Sequence, residues 1–226
     1  MSASCPALTY NQELEQGLRL AGEAPEWFAK RRIDIIREHV SSRGQTVHRV
    51  MEFGCGTGNH IPFSRLAFRD AEIVGVDISR PSLAIANSKY ASTNIRFCTP
   101  EEFEQTEAID LIYVSGVFHH IPAEQHATWL RYLHRVLKPQ GTLIIFDNNP
   151  FSLPARMVMK RIPFDHDAVM VSPYHFSTSL TQCGFVPAKR RFYFIFPRML
   201  NFLRPLESVL NRWPVGAQYG LFATKQ

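Results

Sequence analysis

Nowhere in the sequence do eighteen apolar residues run together, so no membrane-spanning helix is expected. Cysteine is scarce: Cys5, Cys55, Cys98 and Cys183 are far apart. They match no metal-ligand spacing and no dense disulfide framework, so no metal is expected and reduced thiols in a cytoplasmic setting are. The opening residues Met1 to Tyr10 lack both a basic start and an apolar core, and no signal peptide is expected. Acidic residues are rare in the last third. Residues 151–226 carry 10 basic and 3 acidic groups, a net of +7, whereas residues 1–150 carry 15 and 17, a net of −2. A basic region of this kind suits acidic substrates, phosphates or an anionic membrane surface, or simply a solvated basic face.

What is present is enough apolar matter for a sizeable core. Hydrophobic residues make up 45% of the 226 and charged ones 20%, which excludes a disordered composition. The division expected is a polar lead-in over 1–24 followed by one domain over 25–226, with 151–226 as its basic, acceptor-side portion.

The chain is organised around Val50-Met51-Glu52-Phe53-Gly54-Cys55-Gly56-Thr57-Gly58-Asn59-His60. An apolar strand, Val47 to Phe53, breaks into three alternating glycines where a helix should begin. Glycine tolerates positive φ and lets a ligand approach the main chain, and the N–H groups exposed there favour polar ligand groups. Glu72-Ile73-Val74-Gly75-Val76-Asp77 reads as a second buried strand ending in an acid. Asp77 falls about twenty residues past the glycines, where a βαβ nucleotide site places its ribose-binding carboxylate.

These residues resemble the class I S-adenosylmethionine (SAM)-dependent methyltransferases. Glu52 to Gly58 is similar to their first motif and Val76-Asp77-Ile78-Ser79 to their second. Asp110 to Ser115 with Val117-Phe118-His119-His120-Ile121 is similar to the fourth, and Leu133 to Leu143 to the helix–turn–strand after it. The resemblance covers roughly residues 25 to 150. It implies an α/β, Rossmann-like, seven-stranded, mostly parallel sheet with an antiparallel last strand and helices on both faces. It also implies SAM as cofactor, S-adenosylhomocysteine as product, and a SAM site of Glu52, Gly54, Cys55, Gly56, Gly58, Asn59, Asp77, Ile78 and Ser115. Where the family often has an adenine-binding Asp, this sequence has Cys98-Thr99-Pro100-Glu101-Glu102. Either Glu101 takes that role one residue later or the main chain holds the adenine alone.

His119 is the candidate general base, because imidazole can accept a proton near neutral pH; the other reading is that the paired histidines orient the loop. His60 reads as a solvent-facing helix start, and Glu52 as a buried carboxylate that needs partners. Asp147-Asn148-Asn149-Pro150-Phe151 is rejected as a nucleic-acid amino-methylation tetrad, since it follows the fifth strand and lacks the second proline.

The last third resembles the tail of a less defined group of these enzymes, through Pro163 to Ala168, Cys183-Gly184-Phe185, Phe196-Pro197, Arg204 to Glu207 and Trp213 to Tyr219. That group implies glycan, lipid-linked or secondary-metabolite acceptors. Ser172 to Cys183 should form a capped helix, with strands at Phe185–Phe194 and Gln218–Thr224. Between them Arg198 to Arg212 is an expected amphipathic helix, either a lid on the core or a peripheral membrane contact. Asp165, His166 and Asp167 form a polar cluster suited to an acceptor clamp or a turn.

The expected function is methyl transfer from SAM to a small-molecule or lipid- or glycan-linked acceptor. The alternatives are a SAM-binding partner protein without catalysis and an NAD(P)-dependent oxidoreductase. The latter expects Gly-x-Gly-x-x-Gly, whereas the third glycine here is Gly58 and position 59 is Asn. Nucleic acid is not an expected partner, although the basic tail keeps salt-sensitive binding worth measuring.

Overall fold

The computed structural model of the protein describes residues 22–160 and 168–226. The strands are β1 (Arg49–Phe53), β2 (Glu72–Val76), β3 (Ile95–Cys98), β4 (Ile109–Ser115), β5 (Leu137–Asn148), β6 (Phe185–Tyr193) and β7 (Gln218–Lys225). They form one sheet in the order β3-β2-β1-β4-β5-β7-β6. The first five pair parallel, while β7 runs antiparallel to both β5 and β6. Strand order reverses between β1 and β4, so a crevice is expected at their C-terminal ends.

The strands are near-continuous apolar runs because both faces are covered. Successive side chains point to opposite faces. Thus Met51, Ile112 and Ile145 join one core with Leu130, Leu133, Phe176 and Leu180. Their neighbours Val50, Leu111 and Ile144 join the other with Ile33, Ile36 and Val40. The helices covering the sheet are α1 (Pro25–Ser42), α2 (Ile61–Ala67), α3 (Arg80–Tyr90), α4 (His126–Val136), α5 (Leu153–Met159) and α6 (Pro173–Gln182). Pro25, Pro62 and Pro81 lie in the first turns of α1, α2 and α3, where no N–H is required. Ser79 caps α3 by accepting the Ser82 N–H.

Two expectations about the last third are corrected. Arg198 to Arg212 is not one amphipathic α-helix. It is a run of 3-10 turns over Arg198–Leu206, with non-helical backbone at Leu200, followed by the one-turn α7 (Glu207–Leu210). Pro205 lacks an N–H and crowds the preceding turn, which prevents a continuous α-helix. Ser172 occupies the N-cap position of α6, but its side chain makes no capping bond. The Asp165, His166 and Asp167 cluster lies outside the described residues.

Candidate active site

The turn after β1 is folded onto the end of β2. The N–H groups of Gly54 and Cys55 both donate to the Val76 carbonyl. Gly54, Gly56 and Gly58 adopt φ of 75°, 52° and 83°, a region that L side chains rarely enter. The three have different surroundings. A Cβ on Gly54 would stand 2.3 Å from Val117, and one on Gly58 2.8 Å from the Tyr90 ring. A Cβ on Gly56 would meet nothing within 4 Å, so the space over that residue is open. Asp77 anchors the turn: one carboxylate oxygen accepts the Gly56 N–H at 2.7 Å and the other the Ser79 N–H at 2.8 Å. Ile78 beside it is largely exposed. An open cradle over glycine, edged by a carboxylate and an exposed aliphatic side chain, fits the adenosyl part of SAM.

Beneath the turn, Glu52 is 1% exposed. Its Oε1 lies 2.8 Å from His60 Nδ1 and its Oε2 accepts the Tyr113 hydroxyl at 3.0 Å. Tyr113 also bonds Ser64 at 2.7 Å. Burial, then the Glu52 charge, holds the Tyr113 phenol well above its ordinary pKa. Arg32 of α1 donates through Nη1 to His60 Nε2 at 3.3 Å. Arginine can only donate, so His60 Nε2 accepts and its Nδ1–H faces Glu52. Arg32 also donates twice to Gln218 Oε1, and Gln218 donates to Asn148 Oδ1 at 3.1 Å. Helix α1, the glycine turn, β5 and β7 are thus linked by one polar chain.

Next to this turn is a cavity of about 730 Å³. Its polar side includes Arg32, Asn59, His60, Ser115, His119 and Asn148; its apolar side includes Trp27, Phe28, Met157, Met159, Phe194 and Phe196. His119 is buried, and its Nδ1 makes a short contact with Asp147 Oδ1. Asp147 is fully buried and also accepts the Asn148 N–H at 2.7 Å. Its Oδ2 and the Tyr219 hydroxyl, in register on the neighbouring strand, meet no hydrogen-bond partner among the described residues. The Tyr219 phenol is held well above its usual pKa, by burial first and the Asp147 charge second.

Of the residues named from the sequence, Asn59, Ser115 and His119 line the cavity, and the glycines, Cys55, Asp77 and Ile78 build the adjoining turn. Cys55 is buried, and burial pushes its thiol far above the ordinary range. Glu101 is exposed in the turn after β3. Its neighbour Glu102 accepts the Thr99 N–H at 2.9 Å and pairs with Arg80. The Thr99 hydroxyl is buried at the end of β3, beside the Glu102 carboxylate. Arg32 and Thr99 were not anticipated, and His60, expected to face solvent, is instead turned inward onto Glu52. For His60 a signal existed: a buried carboxylate requires a partner, and a histidine stands eight residues beyond it.

A parallel sheet with a glycine turn after β1, a carboxylate after β2 and a single antiparallel strand defines the class I methyltransferase-type Rossmann-like fold. Residues 51–143 match the family model described as a methyltransferase domain. Trans-aconitate 2-methyltransferase of Methylobacterium radiotolerans is 29% identical over 112 residues, 50% of this chain and 42% of that one. Thiocyanate methyltransferase 1 of Arabidopsis thaliana is 30% identical over 128 residues, 54% and 56% of the two chains. The chain spans about half the length of the curated relatives it matches. Among solved structures, a SAM-dependent methyltransferase from Archaeoglobus fulgidus superposes with a TM-score of 0.63 at 19% identity, covering 85% of this chain and 94% of that one. Phosphoethanolamine N-methyltransferase 2 of Haemonchus contortus, in complex with SAM, gives 0.58 at 16%, covering 80% and 49%. Residues 51–143 thus match a methyltransferase domain, and the fold is the one found in solved SAM-dependent methyltransferases.

Proposed function

We propose that the protein transfers the methyl group of SAM to a small-molecule acceptor with an apolar body and a polar reacting end. The observation that carries this reading is the adjacency of the glycine cradle to the cavity. Asn59 and His60 end the turn and also line the cavity wall, so the two spaces share an edge.

When bound, SAM supplies an electrophilic methyl on a sulfonium. The chain's own contribution is alignment and exclusion of water. Gly56 leaves room over the turn, and Asp77 offers its carboxylate to ribose hydroxyls while holding the Gly56 N–H. Glu52, hydrogen-bonded by His60 and Tyr113, fixes the start of α2, where the amino-acid end of SAM would be held. The aromatic wall of Trp27, Phe28, Phe194 and Phe196 packs the apolar body of the acceptor.

His119 holds the proton removed from the acceptor. The Asp147 carboxylate accepts from Nδ1, which orients the ring and stabilises the imidazolium formed when Nε2 is protonated. The acceptors named for the relatives, trans-aconitate and thiocyanate, are small molecules, which supports that class. A lipid- or glycan-linked acceptor is the wider alternative that the sequence of the last third raises.

The test is calorimetry with SAM and with NADH, then transfer of radiolabelled methyl to fractionated extract. SAM binding with methyl transfer is expected. SAM binding with no labelled acceptor in any fraction supports a non-catalytic partner protein instead, and preference for NADH overturns the reading.

A further inference from the structure

The wall of the cavity formed by Phe196, Pro197 and Arg204 continues outward into a surface that the core does not use. Met199, Phe202, Leu206, Val209 and Trp213 recur at spacings of three and four along Arg198–Trp213. All five are exposed, from 51% for Leu206 to 89% for Met199, whereas Leu203 and Leu210 between them are half-buried. The 3-10 turns and short α7 therefore have an inner and an outer side, and the outer one is apolar. Five large apolar side chains exposed together exceed the scatter of single apolar residues found on ordinary surfaces.

The charge around this row has one sign. Arg198 and Arg212 are exposed at its two ends, Arg198 with one guanidinium N–H resting on the Gly22 carbonyl at 3.5 Å. The one acid between Phe194 and Ala217 is Glu207, and its carboxylate is turned inward to accept the Ile195 and Phe196 N–H groups at 3.0 Å each. Arg204 also faces inward, pairing with Glu23 at 2.8 Å and stacking on Trp27 at 4.3 Å. The segment is thus latched to the start of α1 by its inner side, and its outer side offers apolar groups flanked by cations. An exposed tryptophan, Trp213, completes the set, and its amphipathic ring suits a headgroup region.

We infer that the outer side of Arg198–Trp213 docks on an anionic membrane surface, with Met199, Phe202, Val209 and Trp213 entering the headgroup boundary and Arg198 and Arg212 meeting lipid phosphates. This goes beyond the methyl-transfer reading and does not depend on it. Its consequence for that reading is positional: the wall of the acceptor cavity lies against the lipid surface.

The experiment is flotation of the full chain with phosphatidylcholine–phosphatidylglycerol vesicles and with phosphatidylcholine alone, with SAM binding measured in parallel by calorimetry. Co-flotation with the anionic vesicles, weakening as salt is raised, is expected. The Met199→Asp/Phe202→Asp variant should bind them roughly tenfold or more weakly while keeping SAM affinity. Arg212→Glu, at an exposed side chain that pairs with none of the described residues, should weaken binding severalfold and so tests the inference if the double variant fails to fold. Absence of flotation on either vesicle, or undiminished flotation of Arg212→Glu, overturns it. So does a wild-type dimer in sedimentation that the double variant splits while vesicles are ignored, because the face would then belong to a second copy. Loss of SAM binding by the wild type, with flotation intact, would count against the methyl-transfer reading alone.

Discussion

His60 Nδ1 stands 2.8 Å from Glu52 Oε1, joining the last residue of the glycine turn to the strand below it. The pair converts a local sequence motif into a rigid corner, because Tyr113 holds the second Glu52 oxygen from β4. Removing one partner of a buried carboxylate leaves a charge uncompensated. His60→Ala is expected to destabilise the protein by about 2 kcal/mol, of the order seen when a buried charged group loses a hydrogen bond. Thermal melting measures it, and an unchanged midpoint would show that the pair is not structurally coupled.

Two buried tyrosines should respond oppositely to loss of the hydroxyl. Tyr113→Phe strands Glu52 and Ser64 and should cost about 1–3 kcal/mol. The Tyr219 hydroxyl has no partner among the described residues and faces a buried carboxylate. Tyr219→Phe should leave the denaturant midpoint unchanged or raised. A loss comparable to that of Tyr113→Phe would mean an interior water joins Tyr219 to Asp147.

At the glycine turn, Asp77→Ala removes the acceptor for two main-chain N–H groups and the proposed ribose ligand together. SAM affinity should fall by roughly tenfold to a hundredfold, taking about 1.5–3 kcal/mol per lost charged hydrogen bond. Gly56→Val should abolish binding, since valine at φ 52° is strained and its side chain would stand in the open cradle. Calorimetry on both variants decides, and wild-type affinity in either would remove the cofactor from this turn.

His119→Ala is expected to lower methyl transfer by about 10²–10⁴ while SAM affinity is kept, the range of a lost general base. Asp147→Asn should lower the rate less and shift its pH profile, because the imidazolium would lose its carboxylate. A His119→Ala enzyme at full rate would reduce His119 to a packing residue.

His39 supplies a test of stability against pH. Burial chiefly, with Arg43 and Lys189 nearby, lowers its pKa from 6.5 to about 4. Between these values the unfolded chain binds the proton and the folded chain does not, so this group's contribution makes stability rise with pH across that window. Stability should be lost as pH falls from about 6.5 towards 4. His39→Phe, which keeps a ring against Phe222, should flatten that slope. An identical slope in the variant would assign the effect elsewhere.

Much of the fold was legible because the sheet is covered on both faces. Continuous apolar runs such as Leu111 to Val114 can only be central strands of a layered α/β domain when helical periods alternate with them. The glycines and Asp77 were legible because main-chain geometry imposes residue type locally. The Arg198–Arg212 segment was misread because its apolar spacing is helical, yet Pro205 and the turn at Leu200 divert it into 3-10 geometry. The aromatic half of the cavity was not foreseen as one surface, since Trp27 and Phe28 come from the first helix and Phe194 and Phe196 from beyond the sixth strand.

By itself the sequence determined strand order of appearance, the strained turn and the acid beside it, because these depend on residues close along the chain. Only the tertiary structure decided that Arg32, His60 and Gln218 form one polar chain, that Asp147 orients His119, and that Glu207 turns inward while Met199 and Phe202 do not. Those relations join residues up to 186 positions apart, as Arg32 to Gln218 shows. Short-range pattern carries no record of such pairings; they are set by which faces the packed sheet brings together.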